Sequence, residues 1–120
     1  MNTQNATYMV PLRLAEQWTH AWQNNTDPAY VQEMAQIQSF TFHAVDFSQI
    51  LNKPGVVGVR TYPAIKTQNG VTSVTLLVVG VNNQDVDIIS SDPHALDSGI
   101  YDFAAPCPNT CGTSPLYSQQ

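Results

Sequence analysis

Charge is what this chain lacks most. Four Lys and Arg and nine Asp and Glu in 120 residues put charged residues at 11%, against roughly a quarter in average soluble proteins. Asn, Gln, Ser and Thr fill the gap. Lys and Glu normally deter accidental contact, so their scarcity describes a surface that tolerates close association. The basic residues Arg13, Lys53, Arg60 and Lys66 form no patch, which argues against nucleic acid or an anionic membrane as partner. Cysteine is equally sparse: Cys107 and Cys111 alone cannot make the disulfide framework of a small secreted scaffold. Long apolar runs are missing as well. The longest, Val74–Val81, is broken by Thr75 and is far too short to span a bilayer, so no membrane insertion is expected. No basic start followed by an apolar core opens the chain, so no signal peptide is expected. The cytoplasm is then the default location, with export by another route as the alternative. Asn5-Ala6-Thr7 and Asn24-Asn25-Thr26 match the glycosylation acceptor triplet, a pattern that arises by chance in a chain this rich in Asn and Thr.

What is present is a strong strand. Val71–Asn82, VTSVTLLVVGVN, is rich in β-branched residues, and from Val74 on both alternating sets are largely apolar. A strand apolar on both sides is central and covered, or pressed into an interface. Asn69-Gly70 stands just before it, and a type I′ turn needs positive φ at both central positions. Pairing back across that turn sets Ile65 opposite Val74, Pro63 opposite Leu76, Tyr62 opposite Leu77 and Arg60 opposite Val79. Pro63 cannot donate to a ladder, which demotes Val56–Lys66 toward an edge or implies a bulge.

The flanking segments are shorter. Val10-Pro11 opens a helix running to about Asn24, with Ala15, Trp18 and Trp22 along one face. This stripe reads as core-facing or partner-facing before it reads as a ligand platform. Thr26 or Asp27 can cap a second helix beginning near Pro28. Ser39–Phe42 is a short extended link, and Asp46 caps or opens a third helix carrying Phe47, Ile50 and Leu51. Lys53-Pro54-Gly55 ends it. Val86–Ile89 is the candidate third strand. Residues 1–9 form an N-terminal arm, 10–104 a single α+β domain, and 105–120 an irregular, partly extended C-terminal arm. The expected fold class is α+β: a small, mainly antiparallel sheet with two or three helices packed on one face.

Taken in order, several pieces resemble a family of small uncharacterised proteins found in Bacteroidota. They are Ala15-Glu16-Gln17-Trp18-Thr19, Asp46-Phe47 with Ile50-Leu51, Val59-Arg60-Thr61-Tyr62 and Leu77-Val78-Val79-Gly80-Val81-Asn82. The ending Pro106-Cys107-Pro108-Asn109-Thr110-Cys111 with Ser114-Pro115-Leu116 completes the set. The resemblance runs from about Val10 to Leu116 and implies one unit. It carries no activity, and no catalytic or binding residue.

Candidate chemistry is sparse. Cys107 and Cys111 at C-x₃-C are candidates for a local disulfide, for free or packed thiols, or for a metal site. Zinc needs four ligands, and His20, His43 and His94 all lie off ligand spacing from the cysteines. The redox C-x-x-C spacing is absent. Asn83-Gln84-Asp85-Val86-Asp87 resembles a calcium loop briefly, but Ile88 and His94 stand where that loop needs Gly and Glu. The late aspartates Asp85, Asp87, Asp92, Asp97 and Asp102 read as solvated loop carboxylates, with a loose divalent-cation site as the alternative. Asp92 near His94 reads as a turn. No G-x-S-x-G turn and no glycine-rich phosphate loop is present. Arg60 is the informative charge. It shares a sheet face with Tyr62, Leu77 and Val79, where a lone charge is costly unless paired. Its expected role is a structural ion pair, with Asp46, a late aspartate or tail carbonyls, ahead of an anion contact.

These features describe a non-enzymatic structural or interaction protein that self-assembles into a homo-oligomer or filament. The alternative is a small ligand-binding domain using a Trp/Tyr/Arg face. No cofactor is expected, and the expected partner is another copy of the chain.

Overall fold

The computed structural model describes residues 9–108 and 111–117, and the fold is α+β. Helix α1 spans Leu12–Gln23, α2 Pro28–Ala35 and α3 Ala44–Leu51. Strands β2 (Gly58–Gln68), β3 (Val71–Val81) and β4 (Ile100–Tyr101) form an antiparallel sheet in the order β2-β3-β4. Strands β1 (Ser39–Thr41) and β5 (Ala105–Cys107) form a separate antiparallel pair. The expected N-terminal arm, 1–9, falls almost wholly outside the described residues. Its last residue, Met9, bridges to Tyr101. In the expected C-terminal arm, Ala105–Cys107 is a strand, while 109, 110 and 118–120 lie outside the described residues.

The hairpin has the register that its turn dictates. Asn69 and Gly70 take φ of 54° and 76°, and the ladder runs from Gln68↔Val71 to Gly58↔Val81 through Tyr62↔Leu77 and Arg60↔Val79. Pro63 lies in β2, at the edge of the sheet, where a missing donor is tolerated. The third strand is Ile100–Tyr101, paired with Val78 and Val79, and not Val86–Ile89. The side-chain oxygen of Asn82 accepts from the Gln84 and Val86 amides. That makes a tight turn, after which the chain returns to β3 only through the Asp87 bridge to Val81 and the Ile88 amide on the Gly80 carbonyl, too brief a contact to make a strand. Gly99, at φ 85°, feeds the true third strand. A Cβ there would lie 2.7 Å from the Ile88 carbonyl oxygen, so the position requires glycine.

Helix placement differs from the expectation of one covered face: the two sides of β3 are covered by different helices. On one side, Ala15 and Trp18 of α1 pack with Ala64, Leu77, Val79 and Ile100. On the other, Ile50 of α3 packs with Val78, Tyr101 and Phe103, joined by Phe42, Phe47 and Val56. The cause is the double apolar pattern of β3, since each face left bare would keep apolar surface in water. Gly80 makes the second contact close. A Cβ on it would stand 2.8 Å from Val56 Cγ2 and 3.2 Å from Ile50 Cγ2.

Local signals set the helix starts. Asp27 accepts from the Ala29 amide, with Pro28 first in α2, a side-chain cap with proline in the first turn. The N-cap of α3 is His43, and Asp46 sits inside its first turn, where an acid complements the helix dipole. Glu33 of α2 accepts the Val74 amide at 3.1 Å, tying that helix to β3.

Candidate functional site

Helix α1 does not close completely onto the sheet. A cleft of about 210 Å³ opens between them. Leu12, Ala15, Glu16 and Thr19, spaced three and four apart, present one stripe of α1 to it. Leu77 and Val79 of β3 and Ile100 of β4 make a buried apolar floor. Tyr62 of β2, with Asp87 and Ile89 from the segment after β3, completes the wall.

One rim is a hydrogen-bonded network built on Arg60. Its Nη1 donates to Asp87 Oδ1 at 2.6 Å, and Nη2 donates to Asp85 Oδ1 at 2.5 Å. The Tyr62 hydroxyl donates to the second oxygen of Asp87. Arg60 and Tyr62 alternate along β2 onto one face, so strand periodicity alone brings them together. Asp87 is well covered, at 19% side-chain exposure, while Asp85 is 84% exposed. The burial of Tyr62 and its bond to Asp87 raise its phenol above the usual tyrosine value, against the opposing pull of Arg60. Tyr101, on the other face, is raised by burial first and by the negative charge of Asp97 second.

A second network holds the far end of the same face. Lys66 Nζ donates to Asp102 Oδ2 at 2.7 Å, and Thr75 Oγ1 donates to Asp102 Oδ1 at 2.8 Å. Lys53 lies 3.8 Å from Asp97. Four of the five late aspartates are therefore matched with basic residues of the first half. This corrects their reading as solvated loop carboxylates most clearly for Asp87 and Asp102. Asp92 accepts the backbone amide of His94, a turn contact. Among the described residues no group of three or more His, Cys, Asp and Glu could hold a metal ion.

Cys107 and Cys111 are joined as a disulfide, with Cα atoms 4.7 Å apart. Neither sulfur is then a thiolate available to a metal or to redox turnover. Cys107 is buried at the end of β5, where its carbonyl accepts from the Gln38 amide and its strand pairs with Ser39. Trp18 belongs to the core and not to the cleft lining, and Trp22 lines no part of the cleft.

Glu16 escaped sequence reasoning as a member of a site, and Asp87 was weighed there only as one of five late aspartates, for a loose cation site or as a partner of Arg60. Glu16 had a usable signal, as an acid inside the Leu12-Ala15-Thr19 stripe. Asp87 had none beyond the need of Arg60 for a partner. Comparison with known proteins finds no matching family model, no matching curated protein and no matching solved structure.

Proposed function

We propose that the chain is a non-enzymatic binding protein whose site is the cleft under α1. One observation carries this reading: an apolar floor is bounded on one side by polar groups already fixed by their own hydrogen bonds. Small-molecule sites combine these two features. The same bonding weighs against catalysis. Both oxygens of Asp87 are engaged by Arg60 and Tyr62, and the Thr19 hydroxyl donates to the Ala15 carbonyl. Where a hydroxyl does meet a carboxylate, at Tyr62 and Asp87, the phenol is raised above its usual value, the opposite of an activated nucleophile. The cleft is smaller than the roughly 300–1,000 Å³ of drug-sized sites, so its ligand is small. The Tyr/Arg part of the expected binding face is thus supported, without the tryptophans. The test is a screen of small organic molecules by protein-observed NMR. Hits are expected to move the methyl signals of Leu77, Val79 and Ile89 and to be lost in Thr19→Trp, which fills the cleft from a half-buried position of α1. Hits that avoid those methyls would remove the reading.

A second reading, self-association into an oligomer or filament, is supported by a different region. Val45 and Leu51 of α3, with Val57 just beyond it, are 72%, 52% and 68% exposed, on a chain with few charges to oppose contact. Light scattering of the full chain across concentration checks it, with Val57→Glu expected to reduce the particle size. Nucleic acid remains a poor partner on this proposal, because Lys53, Arg60 and Lys66 are spent on internal carboxylates. The Cys107–Cys111 bridge supports an oxidising compartment, where disulfides persist, over the cytoplasm. Among the described residues no helix is long and apolar enough to cross a membrane.

A further inference from the structure

We infer that the cleft under α1 takes a small organic cation, an amine carried on an apolar body. This rests on the cleft being a binding site and adds the class of ligand.

The argument is one of complementarity in shape and charge. The floor of Leu77, Val79 and Ile100 and the flanking Leu12 and Ile89 offer contact only to an apolar group, which gains by leaving water. The charged groups around that floor are of one sign. Glu16 lines the cleft from α1 and Asp87 from the segment after β3, and no basic side chain is in the lining. Arg60 stands behind Asp87 with its guanidinium turned to Asp85 and Asp87. Arg13, three residues before Glu16 on α1, is likewise outside the lining, so the charged side chains that face the cleft are the two carboxylates.

Asp87 keeps acceptor capacity, because a carboxylate has about four lone-pair sites and two hydrogen bonds to its oxygens are described. The network also fixes that carboxylate in place before a ligand arrives, which lowers the ordering cost of binding. Tyr62 is also in the wall, and aromatic rings are attractive neighbours for cations. A ligand carboxylate would meet Glu16 and Asp87 with no counter-charge facing the cleft. A neutral apolar ligand would use the floor and leave the acids idle. An ammonium group with three donors satisfies both parts of the site.

Benzylamine, benzyl alcohol and benzoate share one apolar body and differ in charge, so they separate the cleft from the charge preference. Each is titrated into the full-length protein while the methyl signals of Leu77, Val79, Ile89 and Ile100 are followed by NMR. Benzylamine is expected to move them with an affinity about tenfold above benzyl alcohol, the scale of one hydrogen bond to a charged group, and benzoate is expected to leave them still. Added salt is expected to narrow the gap, and Glu16→Gln to narrow it further. Glu16 is an exposed helix residue, so the variant is expected to fold. Benzyl alcohol binding as tightly as benzylamine would overturn the cation inference and leave the cleft as a site. Cleft methyls unmoved by all three probes would overturn both.

Discussion

Tyr62 shows how one side chain reports on its surroundings. Its phenol is held neutral by burial and by its bond to Asp87, and Tyr101 is held neutral by burial and by the field of Asp97. Both therefore keep their protons in the folded chain past the pH at which the unfolded chain releases them. A raised phenol contributes stability that is complete below the unfolded value of about 10. That contribution is lost as pH climbs through the folded values. The urea midpoint is thus expected to fall steeply above about pH 10, together with late-rising tyrosinate absorbance. In Tyr62→Phe and Tyr101→Phe each loss is expected to become shallower. An alkaline slope identical in wild type and both variants would show that these phenols are not the cause.

At the scale of elements, the short helix α3 tests whether covering the second face of β3 matters. Ile50 is its deepest residue, fully buried against Val78 and Tyr101, whereas Val45 on the same helix is 72% exposed. Ile50→Ala is expected to cost about 3 kcal/mol through lost transfer energy and a residual cavity. Val45→Ala is expected to change stability by under about 0.5 kcal/mol. Chemical denaturation of the two variants side by side checks this. Equal effects would mean that α3 does not seal the core. The hairpin is a different kind of element, in which two turn residues set a ladder of eleven paired positions. Its register was legible in Asn69-Gly70 because the turn geometry leaves no freedom to slip.

Across the whole molecule, charge joins the two halves of the chain. The basic residues Lys53, Arg60 and Lys66 precede the turn at Asn69, and their partners Asp97, Asp85, Asp87 and Asp102 all follow β3. The long segment after the hairpin is thereby tied back onto the hairpin and its lead-in. The disulfide acts differently, closing only a four-residue separation at one end. Arg60→Met is expected to lower the Tm, because it removes a cation and leaves Asp85 and Asp87 facing each other. Adding Asp85→Asn to that variant is expected to recover part of the loss. Calorimetry of the single and double variants decides it, and a Tm for Arg60→Met equal to wild type would mean that the network is dispensable to the fold.

The sequence by itself determined what depends on neighbours along the chain: the turn at Asn69-Gly70, the register of the hairpin that follows from it, a cap for α2 at Thr26 or Asp27, and the sharing of one face by Arg60 and Tyr62. Each follows from backbone geometry over a few residues. Tertiary structure alone decided the rest. Ile100–Tyr101, two residues long, became the third strand because buried partners on β3 were available to it, while Val86 was taken up by the turn at Asn82 and only Asp87 and Ile88 reached β3. The division of helices between the two faces depended on Gly80 admitting Ile50 and Val56. The pairing of Arg60 with Asp85 and Asp87, and the cleft they border, required chain segments separated by some 25 positions to meet. Strand periodicity says which way a charge points, but only packing says what it meets.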